Sequence, residues 1–197
     1  MTRNAELLEQ TALEMMSEIG LDALTLAAVA QRAGVSRATA YREFGDKNGM
    51  IGAVARAEVA AMIALGYREV ELFAPLPEVV HAAVRFALTH LRGHPVIRRV
   101  RDHEPRWLLD VAIAQGDSAS TLVETVSAFV VPIVGARPDA HALAVPPEQA
   151  AEIIVRIVLS HILIPRSGLA DDEIAATAVR AVVRGAERQW GSPNANG

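Results

Sequence analysis

Residues 34–47 read Gly34-Val35-Ser36-Arg37-Ala38-Thr39-Ala40-Tyr41-Arg42-Glu43-Phe44-Gly45-Asp46-Lys47, and they enclose one very short helix together with both of its ends. Ser36 can accept from the free N–H groups of a first turn, Gly45 breaks the chain after Phe44, and Asp46 caps a further helix. Ahead of this stretch, Thr25 caps a helix from Leu26 to Ala33, which Gly34 stops. Two short helices joined through a glycine turn let the second project from a small body into the major groove of DNA. Ala30 is small enough for the helices to cross closely, Gly34 accommodates a positive-φ turn, and Val29, Val35 and Phe44 can anchor the pair. Arg37 and Arg42 suit guanine edges or phosphate, Ala38 and Thr39 a thymine methyl, and the Tyr41 hydroxyl a phosphate. Lys47 opens the next helix, where its ammonium and the backbone N–H groups can share one phosphate. Such a helix pair is also an ordinary piece of an all-helical bundle, so the motif alone does not fix function.

Upstream, Leu7, Leu8, Leu13, Met15, Met16 and Ile19 recur at helical spacing and predict a first helix over Arg3–Ile19, closed by Gly20. Downstream, the helix capped by Asp46 runs to about Leu72, where Pro75-Leu76-Pro77 breaks the chain. Further helices are expected over Glu78–Arg92, Pro95–Glu104, Arg106–Gln115, Ser118–Val134, Pro147–Ile164 and Asp171–Trp190. The Pro- and Ala-rich stretch from Gly135 to Pro147 reads as a long loop, either mobile or functional. The expected architecture is all-α, with an N-terminal three-helix helix-turn-helix domain over residues 1–47, a larger helical domain over 48–190, and a disordered tail over 191–197.

The chain has 197 residues, 51% of them hydrophobic, a formal charge of -4 and no cysteine. This composition excludes disorder and a collagen-like fibre, and the missing thiols exclude a disulfide framework, a thiolate metal site and a cysteine nucleophile. A cytoplasmic protein is expected. The longest stretch free of Asp, Glu, Lys and Arg is Thr125–Ala136, short of the roughly 18 to 20 residues of a spanning helix, so no membrane partner is expected. Glu6, Glu9, Glu14 and Glu18 at helical spacing are unlike a secretory signal. With 36 alanines against 4 Phe, 2 Trp and 2 Tyr, close-packed helices fit better than a sheet. Net acidity makes any nucleic-acid site local. Arg32, Arg37, Arg42 and Lys47 gather in and just after the helix-turn-helix, while the four glutamates lie on the first helix.

From Ile153 to Ile164 apolar residues surround their helix, with Arg156 the one charge, and a partner subunit is the natural cover. Candidate homodimer residues are Ile153, Ile154, Ile157, Val158, His161 and Ile164, joined by a small-residue stripe of Ala175, Val179, Val182, Val183 and Ala186. For a small molecule the candidates are Phe86, His90, Trp107, Val111, Phe129 and His161, whose apolar surroundings favour a hydrophobic or amphipathic ligand but equally suit plain core. His90 and His94 are four apart, but Gly93 and Pro95 break the register and no metal-binding signature is present. No metal and no cofactor are expected. Arg98, Arg99, Arg101 and Arg106, with Asp102 and Glu104 between them, read as a solvated, self-paired face. With no phosphate loop and no nucleophile elbow, enzymatic function is not expected.

The run from Gly34 to Lys47, with Gly20-Leu21-Asp22-Ala23-Leu24-Thr25-Leu26 and Val29-Ala30-Gln31-Arg32-Ala33 before it, resembles the recognition segment of the TetR family of bacterial transcriptional regulators. The resemblance covers roughly the first quarter of the chain. It implies a three-helix DNA-binding domain, a larger helical domain for ligand binding, and a homodimer through the last two long helices. The implied regulator, most simply a repressor, binds a near-palindromic double-stranded operator and is released by a small-molecule effector that moves the fourth helix. Carried over by position, Thr25, Tyr41 and Lys47 contact phosphates, and Arg37, Ala38, Thr39 and Arg42 face bases; Ser36 completes the DNA-binding set. Three positions depart from the family pattern. Glu43 replaces a His or Tyr and must pair, with Arg42 or Lys47, to sit near phosphate; Ala40 replaces a larger aliphatic residue; and Asn48-Gly49 weakens the first turn of the fourth helix. The competing class is a helical enzyme or small-molecule carrier in which the helix-turn-helix is scaffold.

Overall fold

The structure, a computed structural model, describes residues 2–104, 122–164 and 166–186. The described residues form the helices α1 (Arg3–Ile19), α2 (Leu26–Ala33), α3 (Arg37–Phe44), α4 (Lys47–Glu69), α5 (Leu76–Gly93), α6 (Pro95–His103), α7 (Leu122–Gly135), α8 (Pro147–Leu163) and α9 (Asp171–Val182), with a 3-10 turn over Ala140–Ala142. The expected helix over Arg106–Gln115 and the tail over 191–197 lie outside them.

The chain divides into two compact units. The first holds the residues up to Ala60 and takes in α6; the second holds Ala61–Leu91, α7, α8 and α9. The division falls inside α4 and not at residue 47, because the first half of α4 is part of the N-terminal core: Met50 and Val54 pack with Leu8, Ala12, Met15, Met16, Leu21, Leu24, Val29, Ala30 and Ala40. Val100 of α6 joins the same cluster, fully buried. Each Leu, Met or Val so buried contributes about 1.5–3 kcal/mol.

α1 starts where Thr2 Oγ1 accepts from the Ala5 N–H at 3.1 Å, and it ends at Gly20, whose φ of 83° suits glycine. α4 is long and apolar enough to cross a membrane by length and composition, which counting charge-free stretches did not reveal because Arg56 and Glu58 interrupt it. Core helices share that composition, and Met50 and Val54 are part of a packed protein core here.

Two expectations for the second unit are corrected. The last helix stops at Val182, well short of Trp190: Val183 turns extended and pairs antiparallel with Leu143, and Gly185 follows at φ 70°. A β-branched pair ahead of a glycine favours this exit. The Gly135–Pro147 segment is pinned, not loose. Ala144 N–H donates to Val182 O and Arg184 N–H to Ala142 O, both at 2.9 Å. Arg137, largely buried, donates to the carbonyls of Leu72 and Ala74 and to both carboxylate oxygens of Asp139, which in turn accepts from Leu76 N–H at 2.8 Å.

Candidate nucleic-acid interface

The two short helices are held by the caps that the sequence suggested. Thr25 Oγ1 accepts from Ala28 N–H and Ser36 Oγ from Thr39 N–H, each at 3.1 Å. Between the helices Gly34 adopts the left-handed conformation, φ 70° and ψ 25°, and Val35 N–H returns to Ala30 O at 3.0 Å. Val29 and Ala30 are fully buried beneath this turn, with Val35 and Phe44 packed against them.

On α3 the division between body and surface is clear. Ala40 faces the core at 1% exposure, while Arg37, Ala38, Tyr41 and Arg42 are exposed. An alanine at position 40 lets the helix sit close on the core. Thr39 is half-buried and its hydroxyl lies 2.9 Å from Ser36 Oγ, so it takes part in the cap first and is a weaker candidate for a thymine methyl. Glu43 lies 3.8 Å from Arg42 and is mostly buried, which answers the question of its charge: it pairs with Arg42, not Lys47.

Lys47 opens α4 as expected, and its side chain also has a partner within the chain. Its Nζ donates to Asp22 O at 3.0 Å, bracing the turn between α1 and α2, while the start of α4 is capped by Asp46, whose Oδ1 accepts from Gly49 N–H at 2.7 Å. That cap compensates the weak Asn48-Gly49 turn. A Cβ on Gly49 would lie 2.1 Å from Phe44 O, so the glycine is required by the close approach of α3. Arg32 is bonded to Glu18 of α1, the second of its two hydrogen bonds at 2.7 Å, and this holds the Glu18 carboxyl below its ordinary range. The cations left on the outer face of α3 are Arg37 and Arg42.

Away from this surface, the small-molecule candidates separate. Phe86 and His90 stack at 5.6 Å and line a groove of about 490 Å³ with Glu69, Val70, His81, Ala82, Arg85 and Thr89. Phe129 and His161 are not among its lining, and Trp107 and Val111 lie outside the described residues. The groove is as polar as apolar, carrying Glu69, His81, Arg85 and His90, where the sequence suggested an apolar lining. Arg85 bonds Asp172 of α9 at 2.6 Å, with His81 3.6 Å from the same carboxylate. His90 and His94 serve separate partners: His94 Nε2 meets Glu58 at 2.8 Å in the first unit. Nor do Arg98–Glu104 form a purely solvated face. Arg101 pairs with Asp102, but Glu104 reaches the α1–α2 turn.

The homodimer candidates also split. Val158, Ala175, Val179, Val182, Val183 and Ala186 are already buried within the chain, and Val183 and Ala186 lie beyond the end of α9. Ile153, Ile154, Ile157 and His161 are half-buried and Ile164 is exposed, so an outward apolar strip on α8 remains.

A short, capped α3 with two outward arginines, seated on a three-helix core, defines a helix-turn-helix protein. Residues 9–54 match the family model for bacterial regulatory proteins of the tetR family. An uncharacterized HTH-type transcriptional regulator of Mycobacterium bovis is 31% identical over 121 residues, as is one of Mycobacterium tuberculosis; the chain spans 60% of the length of these curated relatives, and 60% of it is matched. Among solved structures, the repressor QsdR of R. erythropolis superposes with a TM-score of 0.69 at 20% identity, over 92% of this chain and 96% of that one. RolR in complex with resorcinol gives 0.72 at 18%, over 97% and 94%. The repressor AlkX of Dietzia sp. gives 0.66 at 21%, over 90% and 91%. These structures share the fold. Residues 9–54 of the chain are thus similar to the helix-turn-helix segment of tetR-family regulators.

Proposed function

We propose that the protein is a transcriptional regulator, not an enzyme or carrier, that reads a near-palindromic DNA operator as a homodimer. The observation that carries this reading is the outer face of α3, where Arg37, Ala38, Tyr41 and Arg42 are exposed opposite a buried Ala40. Arg37 and Arg42 are the base-reading side chains, Tyr41 a phosphate contact, and Thr25 and Ser36 position the helices by capping them. Lys47 contributes by bracing the motif. The regulator acts as a repressor, with the half-buried strip Ile153, Ile154, Ile157 and His161 of α8 and the exposed Ile164 just after it forming the subunit contact. A small-molecule effector bound in the second unit, in the groove of Phe86 and His90, releases the DNA, and the mixed lining favours an amphipathic ring compound carrying polar substituents.

The test is selection of binding sequences from a random duplex library, then titration of the enriched duplex at two salt concentrations. An enriched palindrome is expected. Replacing Arg37 or Arg42 by alanine should weaken binding by about 1–3 kcal/mol each without lowering thermal stability. Unchanged affinity in the double variant, or no enrichment from folded dimeric protein with and without small aromatic effectors, would reject the reading.

A further inference from the structure

We propose that Glu104 is a positioning residue for the helix-turn-helix: its carboxylate clamps the Gly20–Asp22 turn between α1 and α2 and so fixes how the recognition helix is held. Glu104 Oε2 accepts from Leu21 N–H at 2.8 Å and Oε1 from Asp22 N–H at 3.3 Å, across more than 80 residues of sequence. Two main-chain donors converge on one carboxylate, the geometry of a charge-assisted anchor. Gly20 makes the approach possible. At its φ of 83° a Cβ would lie 2.0 Å from Glu104 Oε1, so any other residue there would displace the carboxylate.

Each end of the clamp is itself fixed. Glu104 closes α6 through its own N–H to Val100 O at 2.9 Å, and Val100 is fully buried in the N-terminal core. On the carbonyl side of the same turn, Lys47 Nζ holds Asp22 O at 3.0 Å, and Lys47 follows the recognition helix by three residues. The turn is thus gripped through its N–H groups by the end of α6 and through a carbonyl by the start of α4. Releasing the first grip loosens the acceptor of the second, and with it the α3–α4 junction. The core contacts of Leu8, Ala12, Val29 and Ala40 do not depend on Glu104, so the three helices remain packed when the clamp opens.

The consequence for DNA rests on the proposed function, and the sign of the effect is diagnostic. Removing a negative charge by itself strengthens attraction to phosphate. A weaker complex on neutralising Glu104 is therefore the result that positioning explains and simple electrostatics does not. The full chain with Glu104→Ala and Glu104→Gln would be compared by residue-resolved amide hydrogen exchange and by titration of the duplex enriched by the wild type. In Glu104→Ala, exchange at Leu21 and Asp22 should accelerate by about ten-fold while the interior of α1 is unchanged, as expected for loss of one charge-assisted anchor. Affinity should fall by a similar factor of about ten with an unaltered salt slope, since no phosphate contact is lost. Glu104→Gln keeps an acceptor oxygen and should recover part of both. Unchanged exchange at Leu21 and Asp22 would overturn the clamp, as would a uniform rise across α1–α3. Faster exchange with equal or tighter DNA binding would overturn the positioning role. Should the wild type enrich no duplex, the regulator reading fails and the clamp is decided by exchange alone, including at the Lys47 side of the turn.

Discussion

Replacing Arg137 by alanine should destabilise the second unit by about 3 kcal/mol. The guanidinium is 12% exposed and donates to Leu72 O, Ala74 O and both oxygens of Asp139, tying the α4–α5 link to the segment after α7. A hydrogen bond to a charged group contributes about 1.5–3 kcal/mol, but bonds sharing one side chain do not add, and stranding one partner of a buried pair costs about 3–5 kcal/mol. Asp139 is 34% exposed and keeps the Leu76 N–H at 2.8 Å, so water and the backbone relieve part of its loss and the lower end applies. For a chain of this length the change corresponds to a fall in melting temperature of about 6–12 °C. Urea and thermal unfolding of the full chain provide the assay. Arg137→Lys, which keeps the charge without the planar fork, should recover less than half of the loss. A destabilisation below about 1 kcal/mol for the alanine variant would refute the view that this side chain, and not the apolar contacts around it, orders the segment.

The same network makes a pH prediction. The Asp139 carboxyl is held below its ordinary range, first by the hydrogen bond from Arg137 and against a smaller desolvation effect. A depressed folded pKa means that the stabilisation is complete above the unfolded value of about 3.9 and disappears as pH falls through the folded value, so Asp139→Asn should flatten the acid limb of a stability profile below about pH 4. Wild-type and variant curves that stay parallel down to about pH 2 would contradict this. In the first unit, Thr25→Ala and Ser36→Ala should each cost about 1 kcal/mol in urea unfolding, because Ala28 and Thr39 N–H groups lose their acceptors. Gly34→Ala meets no neighbouring atom, yet its φ of 70° should make it cost about 1–2 kcal/mol; a neutral or stabilising result would show that the turn relaxes freely.

Much of the helix-turn-helix was legible without coordinates because its information is local. Thr25, Gly34, Ser36, Gly45 and Asp46 mark helix ends through bonds to residues within four positions, and such contacts follow from chain geometry alone. The outward set on α3 was only partly legible: Arg37, Tyr41 and Arg42 are polar and read as outward, but nothing local tells the buried Ala40 from the exposed Ala38. Thr39 and Lys47 show what sequence leaves out: both read as free to meet DNA, and both also have partners within the chain, Ser36 and Asp22. The homodimer stripe failed differently. Apolar periodicity reports that a face is buried, not by what, and α9 finds its cover for Ala175, Val179 and Val182 within the chain.

Caps, glycine turns, helical periodicity and the pattern shared with TetR regulators are properties of neighbours along the chain, and the amino-acid order alone was enough to establish them. The tertiary structure alone decided which charges are spent on the protein and which remain outside it. Glu104 reaches back over 80 residues to Leu21 and Asp22, Arg137 crosses more than 60 to Leu72 and Ala74, and Arg85 meets Asp172 across 87. A polar side chain takes whichever donor or acceptor the packing of apolar faces brings within about 3 Å, and that packing is a property of the folded whole, not of any stretch of sequence.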